Sequence, residues 1–126
     1  MNVQMHHIHL LCSQLGETVK FFSEVLGAKF IDWRKFQGAD GAALDLRGTN
    51  IFLRVARDGE KVAESNQLQY GLHHIGVAIE DMDQAYSELT RKKVTFTSPP
   101  KDIGDRKVAF IEGPDQISVE LIQFKK

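Results

Sequence analysis

The chain has 126 residues, 42% of them hydrophobic and 26% charged, and its 16 basic and 17 acidic side chains leave a formal net charge of −1. That is the composition of an ordinary globular protein; with no long basic run, nucleic acid and anionic membrane are not expected partners, and no apolar stretch reaches the ~18 residues that span a bilayer. Met1 to His9 lacks a charged start followed by an apolar run, so no signal peptide is expected, and the lone Cys12 excludes an intramolecular disulfide and fits a cytoplasmic location. Cys12 itself is expected to be a small strand residue rather than a nucleophile.

The chain opens on a strand, Met5-His6-His7-Ile8-His9-Leu10-Leu11, which recurs 67 residues later as Leu72-His73-His74-Ile75-Gly76-Val77-Ala78. A helix is predicted from Leu15 to Leu26, because Leu15, Val19, Phe22 and Leu26 recur at helical spacing, and Gly27 supplies the left-handed stop. Strands are expected at Lys29–Trp33, Ala42–Leu46 and Ile51–Val55. A polar linker, 58–69, separates modules 1–57 and 70–126. The second copy repeats the order. Asp81 is the expected N-cap of a helix from Met82 to Lys92, with Gln84 as reciprocal partner and Met82, Ala85, Tyr86 and Leu89 as the apolar stripe. Strands are expected at Val94–Thr97, Lys107–Glu112 and Ile117–Phe124, the last after the turn Gly113-Pro114-Asp115-Gln116.

The expected fold class is α+β: two tandem βαβββ modules in one domain, 1–126, forming an eight-stranded, mostly antiparallel, cup-shaped sheet with helices outside. Strand alternation then sorts the side chains. Ile8, Leu10, Ile51, Leu53, Val55, Ile75, Val77, Ile117, Val119 and Leu121 should cover the helices. His7, His9, Phe52, Arg54, His74 and Glu120 should face the cup. Two imidazoles and a carboxylate from three strands suit one divalent metal in a 2-His-1-carboxylate site with open positions, and Fe, Mn, Ni, Zn and Co are not distinguished by these ligands. The repeat is asymmetric, because Phe52 stands where the second copy has Glu120. His9 shares the face of His7 and is a candidate base or spare ligand. Arg54 is a candidate holder of a substrate carboxylate or phosphate, with Phe52 as a wall, or equally a member of a rim ion pair. By the same alternation His6 and His73 fall on the opposite face and are expected to be structural or surface residues.

The chain resembles the vicinal oxygen chelate superfamily, which includes glyoxalase I, methylmalonyl-CoA epimerase, extradiol dioxygenases, and fosfomycin- and bleomycin-resistance proteins. His7-Ile8 through Phe21-Phe22-Ser23-Glu24-Val25-Leu26-Gly27 is similar to the family's opening strand and helix. His74-Ile75-Gly76-Val77-Ala78-Ile79-Glu80-Asp81 is similar to its second opening, and Gly113-Pro114-Asp115-Gln116-Ile117-Ser118-Val119-Glu120-Leu121-Ile122 to its closing turn and strand. Carried over by position, the family's ligands on the first, fifth and eighth strands fall on His7, His74 and Glu120. The fourth-strand ligand of the glyoxalase and epimerase branches falls on Phe52, which cannot coordinate. That departure points toward members with three protein ligands, the extradiol dioxygenases and fosfomycin-modifying thiol transferases, although the chain lacks the latter's basic C-terminal extension and has Gln116 where glycine is usual. The resemblance implies a metal-dependent lyase, dioxygenase or thiol transferase acting on a small oxygen-rich substrate, and a homodimer. The alternative is a metal-free binding protein of the antibiotic-sequestering kind.

Overall fold

The computed structural model describes residues 1–60 and 70–126. The chain divides into two compact units, Met1–Ala63 and Glu64–Lys126. Most of the expected linker, 58–69, lies outside the described residues.

In the first unit, β1 (His7–Cys12) is followed by α1 (Leu15–Lys20), which runs on as a π-helical turn, Phe21–Val25, and then by β2 (Lys29–Phe36), β3 (Ala39–Leu46) and β4 (Thr49–Val55). The second unit has β5 (Ile75–Ala78), α2 (Met82–Arg91), β6 (Phe96–Asp102), β7 (Arg106–Glu112) and β8 (Ser118–Phe124). Each unit is thus a βαβββ module. The strands hydrogen-bond as two four-stranded sheets, ordered β1-β4-β3-β2 and β5-β8-β7-β6. In each sheet the first strand runs parallel to the last, and the other two pairings are antiparallel.

Alternation along the central strands separates the two faces of each sheet. On β4, Ile51 and Leu53 are buried while Phe52 and Arg54 are only partly covered. On β8, Val119 and Leu121 are buried between the half-buried Ser118, Glu120 and Ile122. The buried rows belong to the helix side: α1 lies against β3 and β4, and α2 against β8. Leu44, Phe22 and Cys12 complete the first core, and Met82, Leu89, Ala109 and Ile111 the second. Burying the leucine, isoleucine, valine, phenylalanine and methionine side chains among these contributes roughly 1.5–3 kcal/mol each.

Three local features depart from the expected elements. The first helix covers the expected stretch but is not uniformly α-helical: Leu26 N–H donates to Phe21 O, five residues back, at 3.2 Å. Phe22 is buried as expected, together with Thr18 and Phe21, while Leu15, Val19 and Leu26 are half-buried. Thr18 is accommodated because its hydroxyl donates to Gln14 O at 3.1 Å. The sixth strand starts at Phe96 and continues through Pro99 and Pro100 instead of ending before them. It is the edge of its sheet and its register with β7 shifts between Ser98 and Lys101, so the missing proline N–H groups break no ladder bond. Asp81 caps α2 by accepting from Gln84 N–H at 3.0 Å, but Met82 N–H is taken by the Gln123 side chain at 2.6 Å.

Gly41 is fixed by close approach. A Cβ there would lie 2.3 Å from Leu53 O and 2.6 Å from the Phe36 ring, whereas at Gly16 it would meet nothing within 4 Å. Gly41→Ala is therefore expected to lower stability by about 2–3 kcal/mol through overpacking. Gly16→Ala, within α1, is expected to raise it by up to about 1 kcal/mol. Urea denaturation of the two variants checks the opposite signs.

Candidate functional site

The first unit gathers an aromatic cluster on the face away from α1. Parallel pairing sets His7 opposite Asn50 and His9 opposite Phe52, and alternation turns both imidazoles to the side of the Phe52 ring. The His7 ring stacks on Phe52 with centroids 4.3 Å apart and planes at 27°. His9 lies 4.5 Å from Phe36 and 6.0 Å from Phe52. The Arg34 guanidinium sits over Phe52 at 5.1 Å. Burial holds His9 below the ordinary imidazole value of 6.5, and the charges of Arg54, His7 and Arg57 push the same way, so His9 is mainly neutral at pH 7.

Arg54 shares the Phe52 face but its fork is occupied. Its two terminal nitrogens donate to the two oxygens of Glu60, each at 2.7 Å. Glu60 also accepts from Arg57 N–H at 2.5 Å. The Arg54 hydrogen bonds, then the backbone bond, bring its carboxyl down to about 2. An anion approaching Arg54 must compete with that carboxylate.

The second unit brings two of the expected residues together. His74 immediately precedes β5, and Gly76 pairs with Glu120 on β8. His74 Nε2 lies 3.1 Å from Glu120 Oε1, with 30% and 20% of the two side chains exposed. Phe110, opposite Glu120 on β7, meets the His74 ring edge-on at 5.1 Å. The pairing registers make the repeat concrete: Ile8 faces Ile51 and Ile75 faces Val119, so Phe52 and Glu120 follow on the same rung of the two sheets. Where the second module sets a carboxylate beside its histidine, the first sets a phenyl ring.

A donor pair 3.1 Å apart fits a metal. Two ligands at about 2.1 Å and right angles are separated by roughly 3 Å. Nε2–H of His74 donating to Glu120 satisfies the same distance. Within either unit, among the described residues, no three His, Cys, Asp or Glu side chains gather as a metal site. His6 and His73, expected from alternation to be structural or surface residues, are exposed, and each touches the next histidine: His6 Nδ1 lies 2.9 Å from His7 Nδ1 and His73 Nδ1 lies 2.8 Å from His74 Nδ1. Arg34, Phe36 and Glu60 were also not singled out by the pattern. The repeated His-His dipeptide was the available signal for His6 and His73. The other three depend on strand pairing and turn geometry, which periodicity does not encode.

The sequence model described as the Glyoxalase/Bleomycin resistance protein/Dioxygenase superfamily matches residues 4–121. Metallothiol transferase FosB of Lysinibacillus sphaericus (strain C3-41) is 29% identical over 119 residues, covering 91% of this chain and 79% of its own length. The probable chloroplastic lactoylglutathione lyase of Arabidopsis thaliana is 25% identical over 131 residues, 95% of this chain and 35% of that protein. Among solved structures, a glyoxylase/bleomycin resistance protein/dioxygenase domain from Frankia sp. EAN1pec superposes with a TM-score of 0.81 at 19% identity, covering 99% of this chain and 100% of that one. A mutant of the fosfomycin resistance protein FosX from Listeria monocytogenes, complexed with Mn(II) and 1S,2S-dihydroxypropylphosphonic acid, gives 0.75 at 17% identity, covering 96% and 92%.

The Arg54–Glu60 pair makes the first module acid-sensitive in a defined window. The Glu60 carboxyl lies at about 2 in the folded chain against an ordinary 4.5. Its contribution is complete above pH 4.5 and is lost as pH falls from there toward 2. Glu60→Gln is expected to flatten that part of the stability profile, read as the urea midpoint from pH 5 down to pH 2 in steps of about half a unit.

Proposed function

The chain belongs to the Glyoxalase/Bleomycin resistance protein/Dioxygenase superfamily, and from that premise we propose that its two modules act as one domain, a metal-dependent enzyme for a small oxygen-rich substrate. His7, His74 and Glu120 would hold one divalent ion. The observation that carries this reading is the His74 Nε2–Glu120 Oε1 separation of 3.1 Å, a ready-made pair of adjacent ligand positions. His7 supports it: its Nδ1 faces His6, and no other polar contact to the ring occurs among the described residues, leaving Nε2 for coordination. FosB is by name a metallothiol transferase, and FosX was crystallised with Mn(II). When bound, the ion would act as a Lewis acid toward substrate oxygens.

The chain's own residues supply the rest. Phe52 and Phe36 give an apolar wall that excludes water from one side of the substrate. Arg34, whose Nε donates to Asp32 at 2.7 Å, brings positive charge to that wall. His9, mainly neutral, is placed to accept a proton from a substrate bound against Phe36. A homodimer has a surface to draw on, since edge strand β2 exposes Phe30, Ile31 and Trp33.

Co(II) titration of the purified, metal-stripped chain tests the reading. One equivalent per chain is expected. Glu120→Gln should weaken binding by about 100-fold, roughly 2.7 kcal/mol. Asp45→Asn should leave it unchanged, because Asp45 serves the β3–β4 turn by accepting from Gly48 N–H at 2.8 Å. No binding by the unsubstituted chain would instead favour a metal-free binding role, and equal losses in the two variants would overturn the ligand assignment.

Phe52→Glu is the complementary gain-of-ligand variant. Phe52 occupies the Glu120 rung and lies against His7, so a glutamate there should add a fourth protein ligand. Co(II) affinity should rise about tenfold, or ~1.4 kcal/mol, with turnover falling because a substrate position is closed. Lower melting temperature with unchanged affinity would contradict the shared rung.

A further inference from the structure

Each module carries the same two-histidine device. His6 and His73 immediately precede the candidate ligands, and in both modules the contact is Nδ1 to Nδ1, at 2.9 and 2.8 Å. Ring centroids are 5.1 Å apart in both, with planes at 87° and 80°. The two modules differ in almost everything else around the histidine, a phenyl ring in one and a carboxylate in the other. A chance rotamer would not be expected to recur with the same atoms and nearly the same angle in such different surroundings.

At 2.8–2.9 Å a nitrogen–nitrogen contact needs one hydrogen between the two lone pairs. A neutral imidazole has only one N–H. If His7 or His74 carries it on Nδ1 and donates to the preceding histidine, its Nε2 keeps a lone pair and is free to coordinate. Imidazole ligands of metals generally have their second nitrogen held by a hydrogen-bond acceptor, which fixes tautomer and ring orientation. The first unit also fixes the acceptor's backbone: the Asn50 side chain donates to His6 O at 2.9 Å.

We propose that His6 and His73 are positioning residues, each accepting a hydrogen bond from Nδ1–H of the next histidine so that His7 and His74 present Nε2 as the coordinating nitrogen. This rests on the metal reading given above. In the second module the acceptor also answers the Glu120 contact. With the His74 proton on Nδ1, two lone-pair atoms face each other across 3.1 Å, an arrangement that is stable only with a cation between them. With the proton on Nε2, Glu120 takes it and His73 becomes the donor. His73 is therefore an acceptor when a cation is bound and a donor when none is.

The test uses the full chain and Co(II) as the probe. His73→Ala and His6→Ala remove the acceptor, whereas His73→Asn and His6→Asn place an amide oxygen near the position of Nδ1. Each alanine variant should weaken Co(II) binding by about 10- to 100-fold, and the asparagine variants should recover to within about threefold of the parent. Both rings are exposed, so melting temperatures without metal should stay together. Long-range imidazole 1H–15N spectra of the Zn(II)-loaded parent should show His7 and His74 protonated on Nδ1. If alanine and asparagine variants bind alike, or if the loaded spectra show Nε2–H at His7 and His74, the positioning role is overturned while the metal reading stands. Absence of Co(II) binding by the parent overturns both.

Discussion

The parallel pairing of the first strand with the last strand of each module decides what the site contains. β1 on β4 and β5 on β8 fix which residue of the last strand stands beside each histidine. A slip of one residue would turn Phe52 and Glu120 to the helix side and bring Ile51 and Val119 out. Both last strands resist such a slip, because Ile51, Leu53, Val119 and Leu121 are all 2% exposed or less and would have to be given up to water. Hydrophobic burial on one face of the strand thus holds the polar geometry on the other.

The two copies have used that common frame differently. In the second, the rung carries Glu120 beside His74; in the first it carries Phe52, whose ring is stacked on His7 and bordered by His9, Phe36 and Arg34. One copy thereby holds a donor pair, and the other holds a single imidazole against an apolar wall. The chain's membership of its superfamily establishes the frame and not the reaction, which depends on the side chains that the frame carries.

Much of this was legible in the sequence because it rests on short-period patterns. The 67-residue repeat of His-His-Ile exposed the two modules, and alternation around Ile51 and Val119 separated the helix-side residues from Phe52, Arg54 and Glu120. Patterns failed where geometry is not periodic. His6 and His73 are exposed, as expected of surface residues, but both precede their ladders, where a side chain is not bound to the pleat, and alternation does not foretell that each reaches the next histidine. The π-helical turn at Phe21–Val25 is not foretold by 3.6-residue spacing, which reads the stretch as uniformly α-helical. Of the two roles open to Arg54, anion holder or ion-pair member, the structure shows the ion pair, with a partner, Glu60, that comes from a turn and is not marked by periodicity.

The central claim is that His74 and Glu120, whose Nε2 and Oε1 lie 3.1 Å apart, are a pair of metal ligands. Paramagnetic line broadening by Mn(II) on the 15N-labelled chain measures this directly. At substoichiometric Mn(II), the backbone amide signals of His74 and Glu120 should be among the first to broaden, and the broadening should saturate at one equivalent. Broadening that spares His74 and Glu120, or that spreads over exposed carboxylates without saturating, would contradict the claim.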